Sequence, residues 1–529
     1  MEASRAHQCR ESFGLSSRLV SAIVLIALSA CGGGNSTSTT ASAALETPAS
    51  AVPQATVSDI VSGNILPGPS PFISFVGLVG ESIASVAGVE FTIAPKPGSV
   101  SKPVDVWYST AALKSRGYLL SSFSSIKMPV YGLYAGYSNQ VSLRLVFQDG
   151  SAQTIPVTIT TPAYEDPTGI YSKPIINVAR APGSALGFDF FAMKSGLGSP
   201  VVVDTDAQIR WVFPTKIGSL STALQGDQFV IGDGSKPIVH LLRLDGSETS
   251  VPVVTSTFTD FHHNIDHGKS GLLSEFDATV AGVKNVESNV AEIDDSGFIL
   301  NHWDLGAIIS AYMSSQGDDP TKFVRPGSDW FHNNATTYDP RDDSIIVSSR
   351  ENFLIKLDYK TGNIIWIFGD PTKYWYTFPS LRAKALLLVN GGLYPVGQHA
   401  VSITSQGYTM VFNDGDGSAD QPAGQSPGIT RTYSAVSAYT IDPASMTATD
   451  VFDFDYGQTI YSAVCSSAYE AQAQSILVDY AVAAGMTQTR MVGLNAAHDV
   501  VFDFQYKTVP CETSWNAIPM PFDNMSIDF

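Results

Sequence analysis

The sequence predicts an all-β protein in which an N-terminal β-sandwich is followed by a six-bladed β-propeller. Composition favours this class, because only 15% of the residues are charged, and 44 glycines and 30 prolines separate short runs rich in Val, Ile, Tyr and Phe. Strand-like runs continue along the chain, and a turn-and-strand repeat recurs at the spacing of propeller blades. Helix is therefore expected to be a minor component.

The N-terminus has the features of a bacterial lipoprotein signal. Three arginines precede an apolar run of about a dozen residues, which suits a signal peptide rather than a transmembrane helix. Leu28 to Cys31 resembles the lipobox, whose cysteine is lipidated. We therefore expect a signal peptide over residues 1–31, lipidation at Cys31, a flexible tether over residues 32–56, and a periplasmic protein anchored to the membrane by its lipid. An ordinary cleaved signal is the alternative, and it also exports the chain.

Cys465 and Cys511 are the two cysteines that remain beyond the leader. An exported chain meets an oxidising compartment, where two such cysteines pair more often than they ligate a metal. The sequence therefore predicts a disulfide between them.

Charge and motifs argue against two classes of partner. A formal net charge of -19 disfavours nucleic acid or an anionic membrane surface, since either would need a basic protein face. The chain has no Gly-x-x-x-x-Gly-Lys-Ser/Thr loop, so no cradle for a nucleotide donor is visible. Membrane contact is expected only through the lipid anchor, and an anionic ligand would have to meet a local positive site.

Beyond the tether the chain divides into two predicted domains. Residues 57–165 hold roughly seven strand-like runs separated by turns, which indicates a small β-sandwich. Residues 166–529 contain copies of a turn followed by an apolar or aromatic strand, which begin at Asp204, Leu244, Asp294, Asp358, Asp442 and Asn495. A blade has ~40 to 50 residues, so these copies, with insertions, predict six blades. A β-sandwich or an irregular barrel is the structural alternative, and one insertion from Leu305 has helical spacing.

Histidines recur near the start of three predicted inner strands. His263, His332 and His399 lie about one expanded blade apart, and inner strands line the central channel of a propeller. A single strand histidine is more often structural, but recurrence at blade spacing favours a shared site. His262 should point away from His263, since neighbouring residues of a strand face opposite ways.

Residues 329–350 predict one β-hairpin. If its loop has three residues, Asp339 faces Asp343, and His332 becomes the cross-strand neighbour of Arg350 on one face of the sheet. A two-residue loop would shift the register by one and place the two side chains on opposite faces.

An arginine beside three histidines suits an oxyanion such as sulfate or phosphate, because the guanidinium fork matches two oxygens. One neutral imidazole can attack as a nucleophile while another moves a proton. Three imidazoles can also hold zinc, but Arg350 beside them would repel the cation, so neither a metal nor another cofactor is expected. The stretch NDGDGSAD is interpreted as a turn rather than a calcium loop, because Ala419 stands where the invariant glycine belongs.

These segments resemble those of the bacterial aryl-sulfate sulfotransferases. DWFHNNATTYDPRDDSIIVSSR and its continuation are similar to the signature of that family, and FHHNID, GQHAV and FNDG are similar to its other segments. The resemblance covers most of the chain after the tether, including the order of sandwich and propeller. It implies transfer of a sulfuryl group from a phenyl sulfate to a phenol without a nucleotide donor, aryl sulfates and phenols as partners, and a homodimer as a possible assembly.

The resemblance also implies roles for single residues. His399 would be the nucleophile that forms a sulfohistidine. His332, Asn334 and Arg350 would hold the sulfuryl oxygens.

His263 would bind the group or act as acid and base, with His262 as its less favoured neighbour. A hydroxyl residue late in the propeller would be Ser466 or Ser467. Two other functions stay open: a propeller lipoprotein that captures an oxyanion without catalysis, and a metal-dependent hydrolase that uses water as the acceptor.

Overall fold

The computed structural model describes residues 59–120 and 124–528. The predicted signal peptide, Cys31 and the predicted tether lie outside the described residues. Within the described ranges, no helix is both long and apolar enough to cross a membrane. The all-β class is confirmed, since eight β-sheets account for most of the regular structure.

Two sheets form the N-terminal sandwich. In spatial order, the first contains Val61–Pro67, Ile73–Val79, Ser125–Tyr131 and Leu119–Leu120. The second contains Met525–Ile527, Val104–Ser109, Val86–Ile93, Ser138–Phe147 and Ala152–Thr160. Alternate residues of the strands are buried, as in Ser138–Phe147, so each sheet turns one apolar face to the shared core. The last strand of the chain pairs in parallel with Val104–Ser109, so the C-terminal end returns to the sandwich.

Six antiparallel sheets, numbered I to VI, form the rest of the fold. Sheet I contains Ala517–Met520, Phe190–Met193, Val201–Asp204 and Ile209–Val212. Sheet II contains Thr222–Gln225, Gln228–Gly232, Ile238–Arg243 and Glu248–Pro252. Sheet III contains Phe258–His267, Leu272–Val280, Val283–Ile293 and Ile299–Asp304.

Sheet IV contains Asn333–Asp339, Ser344–Ser349, Leu354–Asp358 and Ile364–Phe368. Sheet V contains Gln398–Ile403, Thr409–Asn413, Ala435–Asp442 and Thr447–Phe454, with Leu387–Val389 in parallel beyond the last strand. Sheet VI contains Ser467–Glu470, Ile476–Val482, Gln488–Leu494 and Val500–Lys507, with Ile175–Val178 beyond the last strand.

The first strands of successive sheets contact one another from sheet II to sheet VI and on to sheet I, which is the arrangement of propeller blades. Sheet I takes its first strand, Ala517–Met520, from the C-terminal region, where it pairs with Phe190–Met193. The sequence repeat lies on the opposite side, because each copy covers the turn and the fourth strand of one sheet. The number of these sheets equals the number of blades that the repeat predicts.

Helices occupy few residues. The α-helical segments are Thr110–Ser115, Leu305–Ser315, Pro379–Arg382 and Ala483–Met486, and the 3-10 turns are Glu81–Ser85, Pro320–Lys322, Tyr374–Thr377, Tyr456–Gln458 and Gln472–Gln474. The helix predicted in the insertion is confirmed. Its N-cap Asp304 accepts the Ala307 N–H at 2.9 Å, and Leu305, Ile309 and Met313 form its buried stripe.

Candidate active site

The first strands of sheets III, IV and V share a local distortion. His263 and His332 have φ of 53°, and Ala400, next to His399, has φ of 50°. His263 and Ala400 lie within register shifts between the first and second strands of sheets III and V, and His332 lies two residues before Asn334, where the shift in sheet IV occurs. A residue other than glycine in this conformation costs about 1 to 3 kcal/mol, and a bulge redirects the neighbouring side chains. A left-handed residue at or beside a bulge thus redirects the histidine region in three successive sheets.

The hairpin register differs from the prediction, yet His332 still lies opposite Arg350. Asp339 pairs with Ser344 instead of Asp343, so the predicted three-residue loop is wrong. The pairing next to the loop is shifted by one residue from the predicted register. Asn334 is an extra residue in a bulge and shifts the register back. The Arg350 N–H then donates to the His332 carbonyl at 3.0 Å.

His399 is buried, and the orientation of its imidazole is fixed by the backbone. Its Nδ1 lies 2.9 Å from the Gly397 carbonyl oxygen. Because a carbonyl only accepts, Nδ1 carries the proton and Nε2 keeps its lone pair. Burial, followed by the nearby Arg350 charge, holds the pKa of His399 well below its usual value of 6.5, although the bond to Gly397 opposes this shift. His399 is therefore a neutral imidazole at neutral pH.

Arg350 is buried beside His399 and paired with carboxylates. Its Nη2 lies 3.1 Å from Asp414 Oδ2, its Nη1 lies 3.1 Å from Glu351 Oε1, and Nη2 also donates to the Ala463 carbonyl at 3.3 Å. Burial raises the pKa of Asp414 to about 7, while the guanidinium acts in the opposite direction. We call His399, Arg350 and Asp414 the arginine half of the site.

The other two histidines surround a buried carboxylate. His332 Nδ1 lies 2.7 Å from Glu287 Oε2 and 2.6 Å from Asp329 Oδ2. His263 Nδ1 lies 3.8 Å from the same Glu287 oxygen, and the rings of His263 and His332 meet edge to face at 4.6 Å. Trp515 packs against the other side of the site, 5.0 Å from the His263 ring. We call His263, His332, Glu287 and Asp329 the carboxylate half.

His262 belongs to the same cluster, contrary to the prediction. Its Nδ1 lies 3.2 Å from His263 Nδ1. Neighbouring side chains face opposite ways only in a regular strand, and the left-handed conformation of His263 interrupts the strand at this point. The two imidazoles therefore approach each other instead of lying on opposite faces.

Two family models match the chain. The model of arylsulfotransferase (ASST) matches residues 177–517, and the model of the arylsulfotransferase Ig-like domain matches residues 69–162. The chain belongs to the arylsulfotransferase family. This confirms the family that the sequence segments indicated, and the two matches correspond to the region of the six sheets and to the sandwich.

Individual relatives of this chain match over shorter ranges. Arylsulfate sulfotransferase AssT of Escherichia coli O6:H1 (strain CFT073) is 28% identical, and arylsulfate sulfotransferase AssT of Lelliottia amnigena is 25% identical. Each match covers 35% of this chain and 38% of the relative, so the chain spans well under half the length of these relatives. Among solved structures, the β-propeller domain of Cps50 (Swd1) from Myceliophteria thermophila has a TM-score of 0.33 at 11% identity, over 64% of this chain and 89% of that one.

The remaining predicted residues, Asn334, Ser466 and Ser467, hydrogen-bond backbone groups of neighbouring segments. Asn334 Nδ2 donates to the carbonyl of Gln398, the residue before His399, at 2.8 Å. Ser467 Oγ accepts the N–H of Ala517 at 3.0 Å and so joins the first strands of sheets VI and I. Ser466 Oγ accepts the Ala481 N–H at 3.0 Å.

The predicted disulfide partners are joined to each other. Cys465 and Cys511 form a disulfide with a Cα–Cα distance of 6.1 Å. Cys465 precedes Ser466 and the first strand of sheet VI, so the covalent link ties the entrance of this inner strand to the loop before Ala517–Met520.

Sequence reasoning missed most of the acidic residues of the site. Asp414 belongs to the NDG segment that was interpreted as a turn, and Asp329 opens the hairpin stretch, so both lay within segments already singled out. Glu287 carried no such signal, because it lies in the third strand of sheet III and reaches the cluster through its own distorted backbone, with φ of 42°. Trp515 lies far along the chain, before the strand that completes sheet I.

Proposed function

We propose that this protein is an aryl-sulfate sulfotransferase that moves a sulfuryl group from a phenyl sulfate to a phenol through a sulfohistidine at His399, without a nucleotide donor. The observation that carries the proposal is the state of His399. The Nδ1–H of His399 donates to the Gly397 carbonyl, so the lone pair for attack is on Nε2. Burial and the Arg350 charge lower the pKa of His399. A neutral, oriented imidazole is what a nitrogen nucleophile requires.

In the first half-reaction, His399 Nε2 forms a bond to sulfur while the bond from sulfur to the aryl oxygen breaks. The aryl oxygen leaves with the bonding electron pair and takes a proton from His332 or His263. His332 suits this role, because the two carboxylates at its Nδ1 hold the ring in place and stabilise the charge that moves during proton transfer.

Arg350 stabilises the transferring group. Negative charge spreads over the sulfuryl oxygens in the transition state, and a preorganised donor at such a place contributes roughly 3 to 4 kcal/mol. The pairs with Asp414 and Glu351 hold the guanidinium beside His399 before substrate arrives. Asn334 supports the strand of His399 through its bond to Gln398.

In the second half-reaction, a phenol replaces the departed aryl group. Its hydroxyl gives a proton to the imidazole that lost one, its oxygen bonds to sulfur, and the bond between sulfur and His399 Nε2 breaks. The enzyme returns to its starting protonation state, so the two half-reactions balance without a metal or a redox partner. The name arylsulfate sulfotransferase carried by the two relatives supports this reaction class.

The test is donor turnover in the absence and presence of phenol. With 4-nitrophenyl sulfate alone, we expect release of one nitrophenolate per chain and an acid-labile sulfuryl group on a peptide that contains His399. Phenol should then give continuous turnover. His399→Asn should abolish both the trapped group and the turnover, with His498→Asn, an exposed histidine of sheet VI, as the matched control.

The same experiment separates the competing functions. Reversible retention of intact aryl sulfate with no trapped group would support oxyanion capture without catalysis. Turnover to free sulfate that is indifferent to phenol would support a hydrolase. Unchanged turnover in His399→Asn would end the proposal.

A further inference from the structure

We propose that His262, His263 and Glu287 form a binding site for one divalent cation of the zinc class, beside the arginine half of the site. The inference goes beyond sulfuryl transfer, because it concerns what the carboxylate half binds when no aryl sulfate is present. It rests on donor geometry, on the backbone that supports Glu287, and on the local charge.

The three side chains offer ligand atoms at suitable distances. His262 Nδ1 and His263 Nδ1 are 3.2 Å apart, His263 Nδ1 and Glu287 Oε2 are 3.8 Å apart, and all three ligand atoms lie within 4.8 Å of one another. Bonds of ~2.0 to 2.2 Å to a tetrahedral zinc ion separate neighbouring donors by roughly 3.3 to 3.6 Å. Small side-chain adjustments therefore bring the three donors around one ion.

The backbone holds Glu287 in an unusual conformation toward this point. Glu287 has φ of 42° at a bulge of the third strand of sheet III, and its N–H donates to Asp277 Oδ1 at 2.7 Å. Lys284 Nζ lies 2.6 Å from Asp277 Oδ2. A left-handed conformation is unfavourable for a glutamate, and such strain clusters at functional sites.

The carboxylates near the proposed site attract a cation, and the repulsion from Arg350 is weakened by its own carboxylate partners. Glu287 and Asp329 bring two carboxylates to the carboxylate half. Arg350, whose proximity argued against a metal at the level of sequence, lies 3.1 Å from both Asp414 and Glu351. Its charge is therefore balanced within the arginine half, and its repulsion of a cation on the other side of the cluster is weakened.

The donor set selects among cations. Two imidazole nitrogens and one carboxylate suit zinc and its neighbours in the first transition row, whereas magnesium and calcium prefer oxygen ligands. Three protein ligands leave a fourth position for water. His332 Nδ1, 2.7 Å from Glu287 Oε2, would orient the ligating carboxylate from outside the coordination shell.

A bound cation would withdraw His263 and Glu287 from proton transfer. If the proposed function holds, zinc should then inhibit sulfuryl transfer. The binding test below needs no transfer reaction, so failure of this inference and failure of the proposed function are distinguishable.

The test is equilibrium binding of Zn²⁺ and Co²⁺ to the full chain after removal of metals with a chelator. We expect one Zn²⁺ per chain by calorimetry and, with Co²⁺, the intense visible absorption of a four-coordinate ion. His262→Asn and Glu287→Gln should each weaken binding by at least about 100-fold, beyond the ~10- to 100-fold typical of an outer-shell partner. Circular dichroism checks that both variants fold.

Two further variants serve as controls. Asp329→Asn removes a carboxylate that contacts His332 and is not one of the three proposed ligands, and His498→Asn removes an exposed imidazole, so both should keep zinc binding within about tenfold. The inference is overturned if the wild-type protein binds no stoichiometric Zn²⁺, or if His262→Asn binds as tightly as wild type. Loss of binding in Asp329→Asn with retention in His262→Asn would also overturn it. If a ligand variant fails to fold, the Co²⁺ spectrum of the wild-type protein decides, since weak six-coordinate bands contradict the site.

Discussion

The two halves of the site place similar imidazoles in different electrostatic surroundings. In the arginine half, His399 donates its Nδ1–H to the neutral Gly397 carbonyl, lies near a guanidinium, and has Asp414 Oδ2 3.8 Å from the same nitrogen. In the carboxylate half, His332 Nδ1 lies within 2.7 Å of two carboxylate oxygens. The cation near His399 favours its neutral form, whereas the carboxylates beside His332 hold its ring through Nδ1.

The difference is produced by backbone as much as by residue type. A left-handed residue recurs at or beside a bulge in the first strands of sheets III, IV and V, so the three histidine regions have similar local backbone. What differs is the residue that each neighbouring segment contributes: Asp414 pairs with Arg350, while Glu287 faces His263 and His332. One repeated bend thus provides histidines for different chemical tasks.

The largest effect among the variants that alter the surroundings of the histidines is expected from Arg350→Gln. Removing the guanidinium takes away the donor that we propose for the sulfuryl oxygens, and loss of such a donor lowers kcat about 100- to 1,000-fold. The rate of nitrophenolate release from 4-nitrophenyl sulfate, followed under single-turnover conditions, measures this loss.

Arg341→Gln is the matched control, because Arg341 pairs with Asp339 at the other end of the hairpin and is half exposed. A melting curve separates chemistry from folding, since Arg350→Gln also leaves Asp414 and Glu351 without their cation. A folded Arg350→Gln variant with less than a tenfold change in rate would remove the arginine half from the mechanism.

A smaller loss of transfer rate is expected from Glu287→Gln. The substitution keeps the shape of the side chain but removes the charge beside His332 and His263, and a positioned proton-transfer group contributes about 100-fold at the low end. The loss should be greater for unsubstituted phenyl sulfate than for 4-nitrophenyl sulfate, because the poorer leaving group needs the proton more. Parallel rate measurements with the two donors supply the comparison.

Glu292→Gln is the control for this prediction. Glu292 is a buried carboxylate in the same strand, but it hydrogen-bonds Tyr359 rather than a histidine. An equal loss for both donors in Glu287→Gln would assign Glu287 a purely structural role.

The fold was predictable where the signals are local. The repeat predicted the fourth strands of sheets I to VI, because consecutive residues form the polar turn and the apolar strand that follows it. The helix Leu305–Ser315 followed from its spacing for the same reason. The return of Met525–Ile527 to the sandwich was not predictable, since parallel pairing with a strand hundreds of residues earlier leaves no local pattern.

The site was predictable only in part. Its histidines and arginine could be named from recurrence and resemblance, but the register at the hairpin and the direction of His262 depended on left-handed residues that no glycine marked. Glu287 was missed because its approach depends on the bulge opposite Asp277, a contact between strands. Residue identity could be read from the sequence, whereas the charge around each imidazole required the three-dimensional contacts.

The last prediction concerns stability rather than rate, and its pH dependence has opposite signs for two residues of the arginine half. The pKa of His399 is lowered in the folded protein, so its contribution to stability is lost as the pH falls below 6.5 toward the folded pKa. The pKa of Asp414 is raised to about 7, so its contribution is lost as the pH rises from about 4 to 7. Relative to wild type, His399→Asn should gain stability as the pH falls below 6.5, and Asp414→Asn should gain stability as the pH rises toward 7, each by at most about 1.4 kcal/mol per pH unit. Urea unfolding between pH 4 and 8 measures both differences, and slopes of the same sign would contradict the electrostatic contrast between these two neighbours.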